Sequence, residues 1–364
     1  MAAPARVRHG AGAPLASERG VFVLADISGY TGYVVHSPLE YAEDVLADVT
    51  GTIADRLRHV LRVNKLEGDA VFAYAPEARA DASMILDTIE ECYFAFRARL
   101  EGVERATSCD CAACRQAAEL DLKFVLHAGG YVRRRGSDGD ELTGRDVIVA
   151  HRLLKNGVAE ASDLRGYALL TDAFADLFGL VPRALGMVPH VETYPDVGEV
   201  RGSVLDLERR YREERERRRV AVGEDEAAFV VEQSLPVSPP AAWELLTAPD
   251  RRLLWQGNDV DEAQAGGRRS TGTSSVCVDG RTRIYEEILD WRPFDYFTES
   301  RTRAGGARFM LTTSLTPAGE GTAVRVLGRP DGGRQRPFAA RRLARRIRAD
   351  FDRLAELVAA GGEA

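Results

Sequence analysis

The chain has 364 residues, 45% of them hydrophobic and 29% charged, with a formal net charge of −7 at pH 7. That length exceeds the usual size of one domain and the apolar content suffices for ordinary cores, so two domains are expected. The acidic balance argues against a nucleic-acid partner, no uncharged stretch is long enough to cross a bilayer, and the N-terminus lacks the apolar core of a signal peptide, so a cytoplasmic protein is expected.

Residues 1–17 are rich in Ala, Gly and Pro without apolar periodicity and read as a disordered tail. An apolar strand then runs from Gly20 and closes on Asp26. Ser37-Pro38-Leu39-Glu40 has the form of a capping box with proline at the first helical position, and Ala42, Val45, Leu46, Val49, Ile53, Leu57 and Val60 follow as one helical stripe. A hairpin is predicted with strands 62–66 and 70–74 joined through Glu67-Gly68. After Pro76 comes a long helix burying Met84, Ile85, Ile89, Cys92, Phe96 and Leu100. Next are a strand over 120–128 ending at Gly129-Gly130, a polar loop over 133–140 and a helix over 146–156. Strand, helix, hairpin, helix, strand is the order of a ferredoxin-like α+β core.

Residues 205–219 are almost wholly charged, with Glu208/Arg212, Glu213/Arg217 and Glu214/Arg218 at i,i+4 spacing. This segment reads as a solvated spacer helix, and the domain boundary is placed near 220–226. Beyond it a strand over 228–235, a helix over 236–247, several strands separated by glycine turns and a closing helix over 338–360 predict a second α+β domain. In the last helix Leu343, Ile347, Phe351, Leu354 and Val358 form the buried stripe and Arg341, Arg342, Arg345, Arg346 and Arg348 the wet face.

Asp26 ends one strand, and Asp69 follows the turn in Lys65-Leu66-Glu67-Gly68-Asp69. Two carboxylates at neighbouring strand ends beside a small-residue loop suit a hard divalent cation shared with nucleotide phosphates. Cys109, Cys111 and Cys114 are spaced closely enough to converge on a structural zinc, although no fourth ligand is obvious and reduced thiols are the alternative. The histidines lack paired metal spacing, and no serine or cysteine nucleophile is arranged around them.

Three stretches, 22–31, 65–69 and Leu126-His127-Ala128-Gly129 followed by 143–152, together resemble the class III nucleotidyl cyclases, the adenylate and guanylate cyclase family, over about 20–156 and more weakly to 207. The resemblance implies that Asp26 and Asp69, with the Ile27 carbonyl, hold two Mg²⁺ or Mn²⁺ ions, and that the amides of Ser28, Gly29, Tyr30 and Thr31 face the triphosphate. It implies that Lys65 and Glu141 read the base, with ATP preferred over GTP, and that Arg152 stabilises charge on the α-phosphate in forming cyclic AMP and pyrophosphate. It also implies a head-to-tail homodimer with composite sites. One position departs from the family: Ile148 stands where an asparagine usually orients the ribose, and an aliphatic side chain cannot hydrogen-bond. The alternative reading is therefore an inactive nucleotide-binding or dimerisation module.

Residues 227–361 resemble the START-like superfamily through 235–246, Trp255, 285–294 and Gly321-Thr322. That resemblance implies a helix-grip fold, an α+β domain whose cavity takes an apolar small molecule that modulates the first domain, with Trp243, Trp255, Tyr285, Trp291 and Phe309 as lining.

Overall fold

The computed structural model describes residues 16–37, 39–106, 119–136, 139–257, 259–279, 282–303, 306–331 and 337–360. Most of the predicted tail, and all of Cys109, Cys111 and Cys114 with the zinc expectation they carry, lie outside the described residues.

Strand β1 (Ser17–Ser28) is buried on both faces, because its side chains alternate between two cores. Val21, Val23, Ala25 and Ile27 face the helices α2 (Leu39–Arg58) and α3 (Ala82–Ala106); Phe22 and Leu24 face a smaller core on the opposite side. A seven-residue helix that the apolar pattern does not reveal, α1 (Tyr30–His36), follows β1. The hairpin forms as predicted, with β2 (Arg62–Glu67) on β3 (Ala70–Pro76) and a bulge between Val63 and Lys65. Strand β4 (Asp121–Gly136) pairs antiparallel with β1, giving the order β2-β3-β1-β4 expected of a ferredoxin-like core.

Two sequence expectations need correction. The strand β4 does not end at Gly129-Gly130 but runs through it into a hairpin with β5 (Gly139–Thr143). Glycine is required at 129 for a different reason: a Cβ there would lie 2.2 Å from Asp146 Oδ2, and the Asp146 carboxylate accepts from Gly130 N–H at 2.6 Å. The following helix, α4 (Arg145–Arg152), stops four residues short of the predicted end and passes into a 3₁₀ turn over Leu153–Lys155. The sheet then grows by β6 (Tyr167–Thr171), parallel to β4, by β8 (Gly198–Asp206) and by the edge strand β7 (Val188–Tyr194), with the short helices α5 (Val158–Ser162) and α6 (Asp172–Leu177) between them.

The charged segment is helical over α7 (Leu207–Glu216), but it is not a free spacer. Leu207 and Tyr211 are buried, Glu208 accepts from the Tyr93 hydroxyl at 2.9 Å, and the helix lies against α3. Its charges satisfy one another and their neighbours at a domain junction, which i,i+4 spacing alone does not distinguish from a solvated face.

The second sheet is antiparallel throughout, in the order β10-β11-β12-β13-β14-β15-β9. Its strands are β9 (Phe229–Leu235), β10 (Asp259–Ala263), β11 (Ser274–Asp279), β12 (Thr282–Arg292), β13 (Tyr296–Arg303), β14 (Arg308–Ala318) and β15 (Gly321–Pro330). Helices α8 (Pro239–Thr247) and α9 (Pro249–Gln256) close one end, and α10 (Pro337–Ala359) lies across the sheet with Ile347, Phe351 and Leu354 buried. Met84 of α3 belongs to this second core, so the two domains share apolar surface.

Candidate functional site

The C-terminal end of β1 and the β2–β3 turn bring Asp26 and Asp69 together. Asp26 pairs with Ala70 in the ladder, and Ile27 N–H donates to the Asp69 carbonyl at 3.2 Å, which fixes the turn against the strand end. Burial, and secondarily the negative charge of Asp26, push the Asp69 carboxyl above its ordinary range. Two carboxylates that repel each other in a half-buried position are the arrangement a divalent cation relieves. Among the described residues no cluster of three or more His, Cys, Asp or Glu side chains offers a metal site, so this pair would need further oxygens from backbone, water or substrate phosphate. After β1, Gly29 at φ 84° turns the backbone into α1, with no side chain capping the first-turn amides of Tyr30 and Thr31.

Sequence reasoning missed Lys123. Its Nζ lies 3.1 Å from Asp26 Oδ2 and donates to the Leu154 carbonyl at 3.0 Å, with both charged side chains largely buried. One ammonium against two carboxylates leaves the pair net negative, which a divalent ion fits. The available signal was the lone lysine in the apolar run 120–128, at a position that faces Asp26 in the register.

Lys65 and Glu141 are exposed, and their chain neighbours meet, Asn64 Nδ2 donating to the Asp140 carbonyl at 2.5 Å. Ile148 and Arg152 lie one turn apart on α4 and are both exposed, Ile148 to 56%. None of Lys65, Glu141 and Arg152 hydrogen-bonds to or ion-pairs with Asp26 or Asp69 among the described residues. Farther along β4, His127 is buried, with Nδ1 2.9 Å from Thr171 Oγ1; burial pushes its imidazole below the usual range, and nearby Asp146 opposes this only in part.

The cavity between the second sheet and α10 differs from the expected apolar pocket. Its volume is about 50 Å³, far below the roughly 300 Å³ at which pockets for drug-sized ligands begin. Trp255 and Trp291 do line it. Trp243 instead is fully buried in the core, edge-on to Trp291 at 4.7 Å, and Tyr285 is 46% exposed. Phe309 lines a separate groove of about 310 Å³ between β13, β14 and the start of α10. Charged side chains reach the cavity wall: Arg252, Glu262, Arg269, Glu299, Arg301 and Asp350. Behind them Glu286 accepts from Arg252 at 2.6 Å and lies 2.9 Å from Arg301. Burial pushes the Glu286 carboxyl up, but those two guanidinium groups more than offset it and hold it at about 2.

A second buried ionic cluster joins the domains. Arg268, in the β10–β11 connection, donates to Asp87 at 2.5 Å and to both oxygens of Glu90 at 2.8 Å, all on the C-terminal domain's side of α3. Trp291 Nε1 donates to Asp87 at 3.2 Å, Arg269 pairs with Asp81 at 2.8 Å, and Arg292 pairs with Glu214 of α7.

Two family models, a curated relative and several solved structures match parts of this chain. Residues 226–359 match a family model described as polyketide cyclase / dehydrase and lipid transport. The C-terminal domain is START-like over those residues. Residues 46–162 match a model described as a protein of unknown function, DUF2652. An uncharacterized protein of Mycobacterium tuberculosis is 33% identical over 147 residues, which are 40% of this chain and 66% of that protein, so the match spans just under two thirds of the relative. Among solved structures, the adenylyl cyclase CyaB from P. aeruginosa is similar over 52% of this chain and 95% of its own, at 15% identity and a TM-score of 0.40. The guanylyl cyclase Cya2 is similar over 52% and 93%, at 15% and 0.39. DynU16, from the dynemicin biosynthetic locus, is similar over 36% and 47%, at 22% and 0.32. No helix among the described residues is long and apolar enough to cross a membrane.

Proposed function

We propose that the N-terminal domain binds ATP through a divalent ion held by Asp26 and Asp69 and converts it to cyclic AMP and pyrophosphate in a head-to-tail homodimer, under the influence of a ligand in the C-terminal domain. The observation that carries this reading is the mutual proximity of the two carboxylates at the β1 end, net negative even with Lys123 beside them. The ion would lower the proton affinity of the ribose 3′-hydroxyl and offset charge on the leaving pyrophosphate. This chain's residues would do the rest: the amides at 28–31 bind phosphate, Lys65 and Glu141 orient the base, and Arg152 holds charge at the α-phosphate. The exposure of Lys65, Glu141 and Arg152 in one chain supports a site completed by a second copy.

A second reading, nucleotide binding without turnover, is favoured by Ile148, which offers the ribose no hydrogen bond, and by Lys123, which already supplies a cation to Asp26. Incubation of the full chain with ATP or GTP and Mg²⁺ or Mn²⁺, with cyclic nucleotide as the readout, separates the two. Product from the wild type that is absent from Asp26→Ala supports catalysis. Silence from both, with Mn²⁺·ATP still bound by the wild type, establishes the second reading. No nucleotide binding at all rejects both.

A further inference from the structure

Every hydrogen-bonding side-chain atom that is buried and unpartnered in the cavity wall of the START-like domain is a donor. They are Arg269 Nε and Nη1 and Arg301 Nε; Arg269 is only 3% exposed. A buried guanidinium N–H without an acceptor is costly, and its complement is an oxygen acceptor, best of all a carboxylate. The acidic side chains in and behind this wall leave those three atoms without a hydrogen bond: Glu286 and Glu299 are taken by the other edges of Arg252 and Arg301, Asp350 is paired with Arg346 and Arg353, and Glu262, although it lies within the field of Arg269, accepts from Gln264 Nε2. Arg301 also forms part of the 310 Å³ groove, where Arg303, Arg342 and Arg346 stand around an apolar floor of Ile284, Phe309 and Leu343 and no acidic residue contributes. Inner cavity and groove therefore share one arginine as a common wall. The inner space accommodates only a few heavy atoms, on the order of four waters. The groove offers apolar contact to whatever extends outward.

From this we infer that the C-terminal domain binds a compact organic carboxylate, with its head group on Arg269 and Arg301 and its apolar body directed toward the Phe309 groove. This deepens the proposed sensor role and rests on it. The position of Arg269 gives the ligand a route to the first domain: its Nη2 donates to Asp81 at 2.8 Å, its backbone N–H to Ser83 Oγ at 3.0 Å, and Asp81 itself accepts from Met84 N–H at the start of α3. One side chain touches both the cavity and the cap of the helix that carries the first domain's core.

The test is calorimetric titration of the full chain with hexanoate, hexanamide and hexylammonium, without nucleotide, so that its outcome is independent of whether the first domain binds ATP. Saturable hexanoate binding is expected, at least about tenfold tighter than either comparator. Arg269→Met and Arg301→Met should each weaken it by at least tenfold. Thr313→Leu, which fills the cavity without removing a charge, should abolish it and covers the case in which an arginine variant does not fold. Hexanoate binding no tighter than hexanamide, unchanged binding in the folded variants, or no saturable binding overturns the inference.

Discussion

Replacing Arg268 with methionine tests how the two domains are joined. The guanidinium is 5% exposed and makes three hydrogen bonds to Asp87 and Glu90. Methionine keeps much of the apolar stem and removes the charge, leaving Asp87 with only Trp291 Nε1 and Glu90 with Arg210 at 3.7 Å. Deleting one partner of a buried ion pair costs about 3–5 kcal/mol because the other charge is stranded. Burial already pushes the Asp87 carboxyl up to about 6 despite Arg268, whereas the same guanidinium holds Glu90 below its usual range against its burial. For Asp87 the folded state therefore holds its proton more tightly than the unfolded chain does, and stability falls as pH rises from about 4 to about 6. Without Arg268 both carboxyls move upward, so the deficit of the variant should be greatest near pH 7.5 and shrink toward pH 5. Urea titrations followed by tryptophan fluorescence report the C-terminal domain, where Trp243, Trp255 and Trp291 all lie, and far-ultraviolet dichroism reports both. A deficit under about 1 kcal/mol at pH 7.5, or an equal deficit at pH 5, refutes the reasoning.

Lys123→Met should destabilise the protein by about 1–3 kcal/mol at pH 7, a value below the buried-pair range because Asp26 retains some solvent, and Mg²⁺ or Mn²⁺ should restore part of it; thermal unfolding with and without metal measures this. Trp243→Ala removes a fully buried ring packed on Trp291 and Phe297 and should cost about 3–5 kcal/mol in urea unfolding, with no metal rescue. The His127 imidazole, depressed by burial, should remain neutral in NMR titrations through pH 6.5 and contribute a loss of stability as pH falls below that value.

The legible parts of the fold were those with periodicity. The α2 and α3 stripes are buried where 3.6-residue spacing puts them, the hairpin forms where its turn puts it with β3 buried and β2 largely exposed, and along α10 Ile347, Phe351 and Leu354 are buried with Leu343 and Val358 half-buried. Asp26 and Asp69 were legible as a pair because strand-end position constrains them locally. The polar interior of the second domain was not, although Phe297, Glu299 and Arg301 alternate inward along β13: period two says which face a residue shares, not whether that face will be dry. Gly129 misled for a related reason. A glycine that permits close approach of a carboxylate from seventeen residues away looks, in sequence, like a glycine that ends a strand. The charge pattern of 205–219 reads as solvated because i,i+4 pairs within the helix offer its charges partners without a neighbouring element, whereas Glu208, Glu214 and Arg217 are also engaged by Tyr93, Arg292 and Asp290.

The helix α3 connects these features physically. Toward the second domain it presents Met84, Asp87 and Glu90; toward the first, Tyr93 donates to Asp121 at 3.0 Å, two residues before the lysine that neutralises Asp26. Proximity alone does not establish coupling, but binding linkage measures it. If Mn²⁺·ATP binds the first domain and the two unfold as one unit, a hundredfold excess over its Kd should stabilise the whole by about 2.7 kcal/mol. The tryptophan-reported transition, confined to the second domain, should then move by that full amount. In Arg268→Met the contacts to Asp87 and Glu90 are gone, the Arg269–Asp81 and Arg292–Glu214 pairs remain and the nucleotide site is untouched; if the Arg268 contacts carry the coupling, the dichroism change from the first domain should still move with nucleotide and the tryptophan signal should not. A tryptophan transition that follows nucleotide equally in both proteins would mean that the contacts left in the variant, the Met84 apolar contact with the Arg269–Asp81 and Arg292–Glu214 pairs, hold the domains together without Arg268.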